Sequence, residues 1–261
     1  EQLRIPFLVR PCMHGIHAKA MLSFCEQYDV GTVVCDLSPL RVPRDWTDSV
    51  AAALGKEGIA CVQVDAHNVV PVWEASDKAE TMARWIRPKL TSRYEDFLKE
   101  IPPLEQPTYS ETASISADHI MTAAGAVDWA GLYEALQVDQ TVQPVPGVVA
   151  GSRAALDILE EFCESRLGLY ADEANDPTKA ARSGLSPYLH FGQISAQRCA
   201  LRVLETKSTA DTSLRKGVDK FLEECIVRRE LAENFCWYNK DGYDALEGAR
   251  PWARETLLVH A

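Results

Sequence analysis

Tyr170-Ala-Asp-Glu-Ala-Asn-Asp-Pro177-Thr-Lys-Ala-Ala-Arg182-Ser183-Gly184-Leu185-Ser186-Pro187-Tyr188-Leu189-His190-Phe191 is the stretch whose reading decides the rest of the chain. A tyrosine precedes a small polar turn, Ser183-Gly184-Leu185-Ser186, which runs into an apolar segment opened by Pro187. Adjacent backbone N–H groups and two hydroxyls can cradle an anion, and a helix opening just after them adds a favourable dipole. With Tyr170 and the cation Arg182 close by in sequence, the segment reads as a phosphate grip on a loop. It reads equally as an ordinary loop in which a serine caps a helix with proline at its first position.

Outward from this stretch, residues 151–261 carry helical periodicity and almost no strand signal. Ser152 is the expected cap of an amphipathic helix through about Leu169, burying Ala155, Leu159, Phe162 and Leu167. Ile194–Leu204 and Leu214–Tyr238 are further helices, and Pro251 opens another that runs to the chain end. On the Leu214–Tyr238 helix, Glu224 and Arg228 stand four apart and share a face. Trp237 and Tyr238 close that helix. Such an acid, guanidinium and aromatic set suits a base edge, a phosphate or a flavin, and equally an exposed ion-paired face.

Residues 1–100 alternate strand and helix signals. Ile5–Val9, Val30–Asp36 and Ile59–Asp65 are apolar, partly β-branched runs. His14–Tyr28, a segment capped by Asp45 through about Lys56, and Ala75–Trp85 have helical spacing. This order predicts a parallel sheet with helical crossovers. Asp36 and Asp65 end their strands at the carboxyl edge, where such sheets bind ligands, or cap the segments that follow. Neither GxGxxG nor GxxxxGK[ST] occurs, so the dinucleotide and P-loop readings lack support. Residues 101–150, with Ile101-Pro102-Pro103-Leu104, a Ser/Thr-rich stretch over Thr108–Thr122 and Val142-Gln-Pro-Val-Pro-Gly147, read as a connector holding one helix near Trp129–Leu136.

The 261 residues are 46% hydrophobic and 25% charged, as in a water-soluble globular chain. No apolar run reaches the roughly 18 residues of a membrane-spanning helix. A net charge of -11 argues against nonspecific nucleic-acid binding over the whole surface but leaves room for a local basic cleft. Arg182, Arg198, Arg202, Arg228 and Arg229 all fall in the second half. The 8 cysteines form no CxxC pair and sit mostly in apolar runs, which fits reduced thiols in a reducing intracellular compartment. The chain opens on Glu1 rather than Met, which reads as a processed or partial chain.

Five collinear blocks carry a resemblance. They are Cys35-Asp36-Leu-Ser38-Pro-Leu-Arg41-Val-Pro-Arg44, Val64-Asp65-Ala-His67-Asn68-Val-Val-Pro71-Val-Trp73, Asn175-Asp-Pro-Thr178-Lys, Leu185-Ser-Pro-Tyr-Leu-His-Phe-Gly-Gln-Ile-Ser195 and Ile226-Val-Arg-Arg-Glu-Leu-Ala-Glu-Asn234-Phe-Cys-Trp-Tyr238. Together they resemble class II cyclobutane pyrimidine dimer photolyases of the photolyase/cryptochrome family. The resemblance implies α/β followed by all-α: a partial doubly wound parallel-sheet antenna domain over residues 1–100, a linker over 101–150, and the first part of a helical FAD-binding domain over 151–261. It also implies light-driven electron transfer from reduced FAD to a pyrimidine dimer flipped out of UV-damaged DNA.

By position, Tyr170 resembles the tyrosine near the FAD phosphates, and Ser183, Gly184, Leu185 and Ser186 the loop around the pyrophosphate. Arg228 resembles the arginine beside the flavin, and Glu224 the acid that binds the flipped thymine. Arg182 stands where the family places a threonine, and a cation there either pairs with a phosphate or fills the space the cofactor needs. The antenna chromophore is open. Such proteins continue well past Ala261, so the chain reads as their middle part. Two alternatives accompany this reading: a non-catalytic, photolyase-derived subunit whose protein partners cover the truncated faces, and a cryptochrome-like light sensor.

Overall fold

The computed structural model describes residues 8–9, 15–103, 120–121, 131, 133–134, 136, 138–139, 141–209 and 211–260. The chain divides into two compact units. One comprises Glu1–Cys35, Asp45–Val62 and Pro102–Val148; the other comprises Asp36–Arg44, Gln63–Ile101 and Val149–Ala261.

In the first unit, strand β1 (Leu8–Val9) pairs antiparallel with a short strand at Ile120–Met121. The first apolar run therefore has its described partner in the connector rather than in the parallel sheet. Helix α1 (His17–Gln27) leads to β2 (Thr32–Asp36), helix α2 (Arg41–Lys56) and β3 (Ala60–Val64). The Ala60 N–H donates to the Gly31 carbonyl, and the Leu37 N–H to the Val64 carbonyl. Starts pair with starts and ends with ends, so β2 and β3 are parallel and joined by a helical crossover, as the alternating pattern predicts. Of the helix expected near Trp129–Leu136, Gly131, Tyr133 and Glu134 are helical and Leu136 is a bend, while its other residues and most of the Ser/Thr-rich stretch lie outside the described residues.

Helix α2 begins at Arg41 rather than after Asp45. Its first turn has N–H groups with no helical acceptor, and Arg41 donates its own to the Tyr243 hydroxyl at 2.7 Å. Pro43 sits in that same turn, where a missing N–H costs little.

The expected Ala75–Trp85 helix is two helices, α3 (Val72–Ala75) and α4 (Ala83–Thr91), with a non-helical loop between them. The buried Asn234 side chain holds that loop. Its Oδ1 accepts from the Glu80 N–H at 2.7 Å, and its Nδ2 donates to the Lys78 carbonyl at 3.0 Å. A long-range tether here overrides local propensity. A short helix α5 (Tyr94–Phe97) follows.

From residue 149 onward the second unit is helical. Helix α6 (Ser152–Glu161), a π turn (Phe162–Arg166) and α7 (Leu167–Glu173) form one continuous rod. Gly151, not Ser152, occupies the cap position, and it makes no side-chain cap. Helix α8 (Ser186–His190) is short, and α9 (Ala196–Glu205) is capped by Ser195, whose Oγ accepts from the Arg198 N–H at 3.1 Å. A second rod consists of α10 (Thr212–Leu222), a π turn (Glu223–Arg228) and α11 (Arg229–Tyr238). Asp211 caps it by accepting from the Leu214 N–H at 2.8 Å. Helix α12 (Pro251–His260) ends the described chain.

The predicted face Ala155, Leu159, Phe162 and Leu167 is buried, packed in one core with Cys199, Val203, Val218, Phe221 and Ile226. The two rods approach most closely at Gly217, where a Cβ would stand 1.8 Å from the Leu167 carbonyl oxygen. Among the described residues no helix is long and apolar enough to cross a membrane, and every cysteine is free.

Candidate functional site

A cavity of about 440 Å³ opens in the second unit between the end of the first rod and the middle of the second. It is lined by Tyr170, Ala174 and Asn175 at the end of α7, by Arg182, Ser183, Gly184, Ser186 and Pro187 in the loop before α8, and by Lys220 and Glu224 on the second rod. Of the residues singled out from sequence, Tyr170, Arg182, Ser183, Gly184, Ser186 and Glu224 converge here.

Each lining group has a local cause. Burial of the Phe162 and Phe221 rings seats Tyr170 edge-on against them, at centroid distances of 5.4 and 5.9 Å. Burial, and then the Glu224 carboxylate, raise the Tyr170 phenol above its ordinary pKa. Gly184 has φ +72°, a left-handed conformation that a side chain would strain. Buried Ala181 and Leu185 pin the loop to the core on both sides, which leaves the residues between them to face outward. The Arg182 guanidinium makes no hydrogen bond or ion pair among the described residues and stands free at the cavity wall.

Two expected site residues lie elsewhere. Leu185 is fully buried in the core and contributes packing rather than lining. Arg228 does not meet Glu224: its Nε donates to Glu223 Oε1 at 3.0 Å. The cause is the π turn, whose i→i+5 pattern shifts the face that an α-helical count assigns. Glu223 also receives Arg87 Nε and Nη2 at 2.9 and 2.8 Å. These bonds, Arg87 foremost, hold its carboxyl below the usual glutamate range. Trp237 and Tyr238 also leave the site. Trp237 packs near Trp73 at 6.4 Å, and the Tyr238 hydroxyl donates to the Ser76 carbonyl at 2.7 Å.

Sequence reading missed Lys220, whose Nζ lies 2.5 Å from Glu224 Oε1. Its i,i+4 spacing to Glu224 was available as a signal, but the Glu224/Arg228 pair had the same spacing. Helix α8 spans only 5 residues, so its dipole adds little, and the positive charge at this cavity comes from Arg182 and Lys220. Asp65 serves the local role open to it: its carboxylate accepts from the Asn68 and Val72 N–H groups at 3.1 and 2.9 Å.

A cation, two serine hydroxyls and a glycine in the loop before α8, an aromatic at the end of α7 and a lysine–carboxylate pair on the second rod make a cleft that can hold an anion such as a phosphate ester carrying a ring system. A sequence profile of DNA photolyase matches residues 1–108. Over its full length the chain is 42% identical to the deoxyribodipyrimidine photo-lyase of Potorous tridactylus, of which it covers 46%. It is 41% identical to the protein of that name from Arabidopsis thaliana, again over the full chain and covering 51% of the relative.

Among solved structures, a bacterial class III photolyase from Agrobacterium tumefaciens has a TM-score of 0.58 at 14% identity, over 86% of this chain and 44% of that one. A Synechocystis cryptochrome has a TM-score of 0.58 at 14% identity, over 86% and 46%. At that identity the two structures speak for the fold alone, and the fold is that of photolyases and cryptochromes. Residues 1–108 match the DNA photolyase model, and the whole chain is similar to proteins named deoxyribodipyrimidine photo-lyase. It spans about half the length of the curated relatives it matches.

Proposed function

We propose that this chain is the part of a DNA photolyase that binds FAD and holds a pyrimidine dimer for light-driven repair. In this reading residues 1–100 are the antenna segment, 101–150 the linker and 151–261 the flavin-binding helices. The observation that carries it is the convergence of three separate stretches, around Tyr170, Arg182–Ser186 and Glu224, on one cavity. The full-length identity to proteins named deoxyribodipyrimidine photo-lyase gives that convergence its direction.

The residues fit the phosphate half of the cofactor. Arg182 and Lys220 offset its negative charge, and the Ser183 and Ser186 hydroxyls donate to phosphate oxygens. Gly184 gives the loop its left-handed turn, and Tyr170 forms an apolar wall. When bound, the reduced flavin supplies the light-driven electron that splits the cyclobutane ring and is returned afterwards. Glu224 accepts a hydrogen bond from a base N–H, which requires its carboxylate to loosen from Lys220. Lys220 is then free to turn to the phosphates.

Repair of a dimer-containing oligonucleotide by the full chain, in light and in darkness, tests the proposal. The expected result is light-dependent loss of dimers together with bound flavin. Flavin-free protein with no repair in either condition contradicts it.

A further inference from the structure

We infer that Arg166, outside the cavity lining, is the positioning residue that aims the Arg182–Ser183 peptide at a bound phosphate. This rests on the reading of the cavity as a phosphate-ester site.

Arg166 is the last residue of the first π turn, and its side chain is only 22% exposed. Its Nη1 donates to the Arg182 carbonyl oxygen at 2.6 Å, and its Nη2 pairs with Glu161. Its Nε is buried without a partner, so the two Nη contacts set the orientation of the guanidinium. The ring of Phe162 lies under it at 5.9 Å.

The peptide between Arg182 and Ser183 is trans, so its C=O and N–H point in opposite directions. With the carbonyl drawn to Arg166, the Ser183 N–H is turned to the other side, away from Arg166. Ser183 lines the cavity, and its Oγ accepts the Leu185 N–H at 3.4 Å. The buried Ala181 and Leu185 anchor the loop on both sides, and the carbonyl contact holds the Arg182–Ser183 peptide between them. The same contact draws electron density toward the carbonyl oxygen and makes the Ser183 N–H a better donor. The π turn has a purpose here: it places Arg166 toward the loop while Leu167 remains in the core.

The test compares the full chain with Arg166→Met and Arg166→Lys in fluorescence titrations with FAD and with riboflavin, which lacks phosphate. Arg166→Met is expected to weaken FAD about tenfold and riboflavin less than about twofold, as loss of one charge-assisted positioning contact implies. Arg166→Lys, which keeps a charged donor, should recover part of the difference. Equal weakening of both ligands, or of neither, overturns the inference.

Titration with inorganic pyrophosphate separates this inference from the flavin reading. If the wild type binds pyrophosphate but no flavin, the flavin reading fails. A tenfold loss of pyrophosphate affinity in Arg166→Met then still supports the role of Arg166, and unchanged affinity overturns it. Amide exchange of the ligand-free protein adds a check if the methionine variant is unstable. The 181–186 segment should exchange faster in Arg166→Lys while α6 and α10 do not, and unchanged loop exchange contradicts the positioning role.

Discussion

Arg228 reaches Glu223, five residues back along its own rod, and not Glu224, four residues back. Three donor contacts, two from Arg87 and one from Arg228, converge on this carboxylate. Glu223 thereby ties α4 to the π turn and leaves Glu224 to the cavity.

Replacing Glu223 by glutamine should destabilise the second unit by about 1 kcal/mol at neutral pH, a network at the upper end for partly exposed pairs. Because its folded pKa lies below the ordinary value, its contribution is complete above the ordinary glutamate range and is lost as pH falls through the lowered one. Urea unfolding at neutral pH should separate wild type from Glu223→Gln, and the two should converge as pH falls below the ordinary glutamate range and through the lowered one. A difference that persists in acid contradicts this account.

Gly217 is where the two rods meet. A Cβ there would lie 1.8 Å from the Leu167 carbonyl oxygen and 2.8 Å from its carbon, both backbone atoms. Neither rod yields without displacing core residues, so Gly217→Ala should cost roughly 3 kcal/mol or more. The measurement is thermal unfolding by circular dichroism. An unchanged or raised midpoint, as helix propensity alone would give for alanine, contradicts the close approach.

Glu230 is 2% exposed. Its Oε1 accepts from the Val69 N–H at 2.6 Å, while its Oε2 is buried without a partner. Burial pushes its carboxyl up to about 7 against the opposing backbone bonds and Arg229, and Asp65 adds to the rise. The native state therefore holds this proton more tightly than the unfolded chain, and stability falls as pH rises from the ordinary glutamate range to about 7. Across that window the wild type should lose roughly 3 kcal/mol relative to Glu230→Gln, which stays neutral and keeps an acceptor for Val69. Denaturation of both proteins at a series of pH values reads this difference directly. Parallel curves contradict it.

Much of the fold was readable because its signals are local. The β2–α2–β3 alternation follows from apolar runs separated by amphipathic spacing, and the buried stripe Ala155, Leu159, Phe162 and Leu167 follows from period alone. Ser195 and Asp211 cap as their residue types suggest, although only the helices behind them were expected. What escaped depends on contacts distant in sequence. The start of α2 at Arg41 needs Tyr243, and the break between α3 and α4 needs Asn234.

The π turns escaped for a different reason. Each breaks the 3.6-residue count without a distinctive residue, so Arg228 was assigned to a face it does not occupy and Lys220 was passed over. The cavity itself was legible only in pieces. Tyr170, the Arg182–Ser186 loop and Glu224 each have an ordinary explanation taken singly, and the fold brings them to one cavity.

The phosphates of FAD are proposed to sit in this cavity, and equilibrium titration of the full chain with FAD, wild type beside Arg182→Ala, reads that contact. Arg182 makes no ion pair among the described residues, and its loss should weaken FAD about tenfold with folding unchanged, as expected for one charge-assisted phosphate contact. Equal FAD affinity in the two proteins, or no FAD binding by the wild type, would contradict the account.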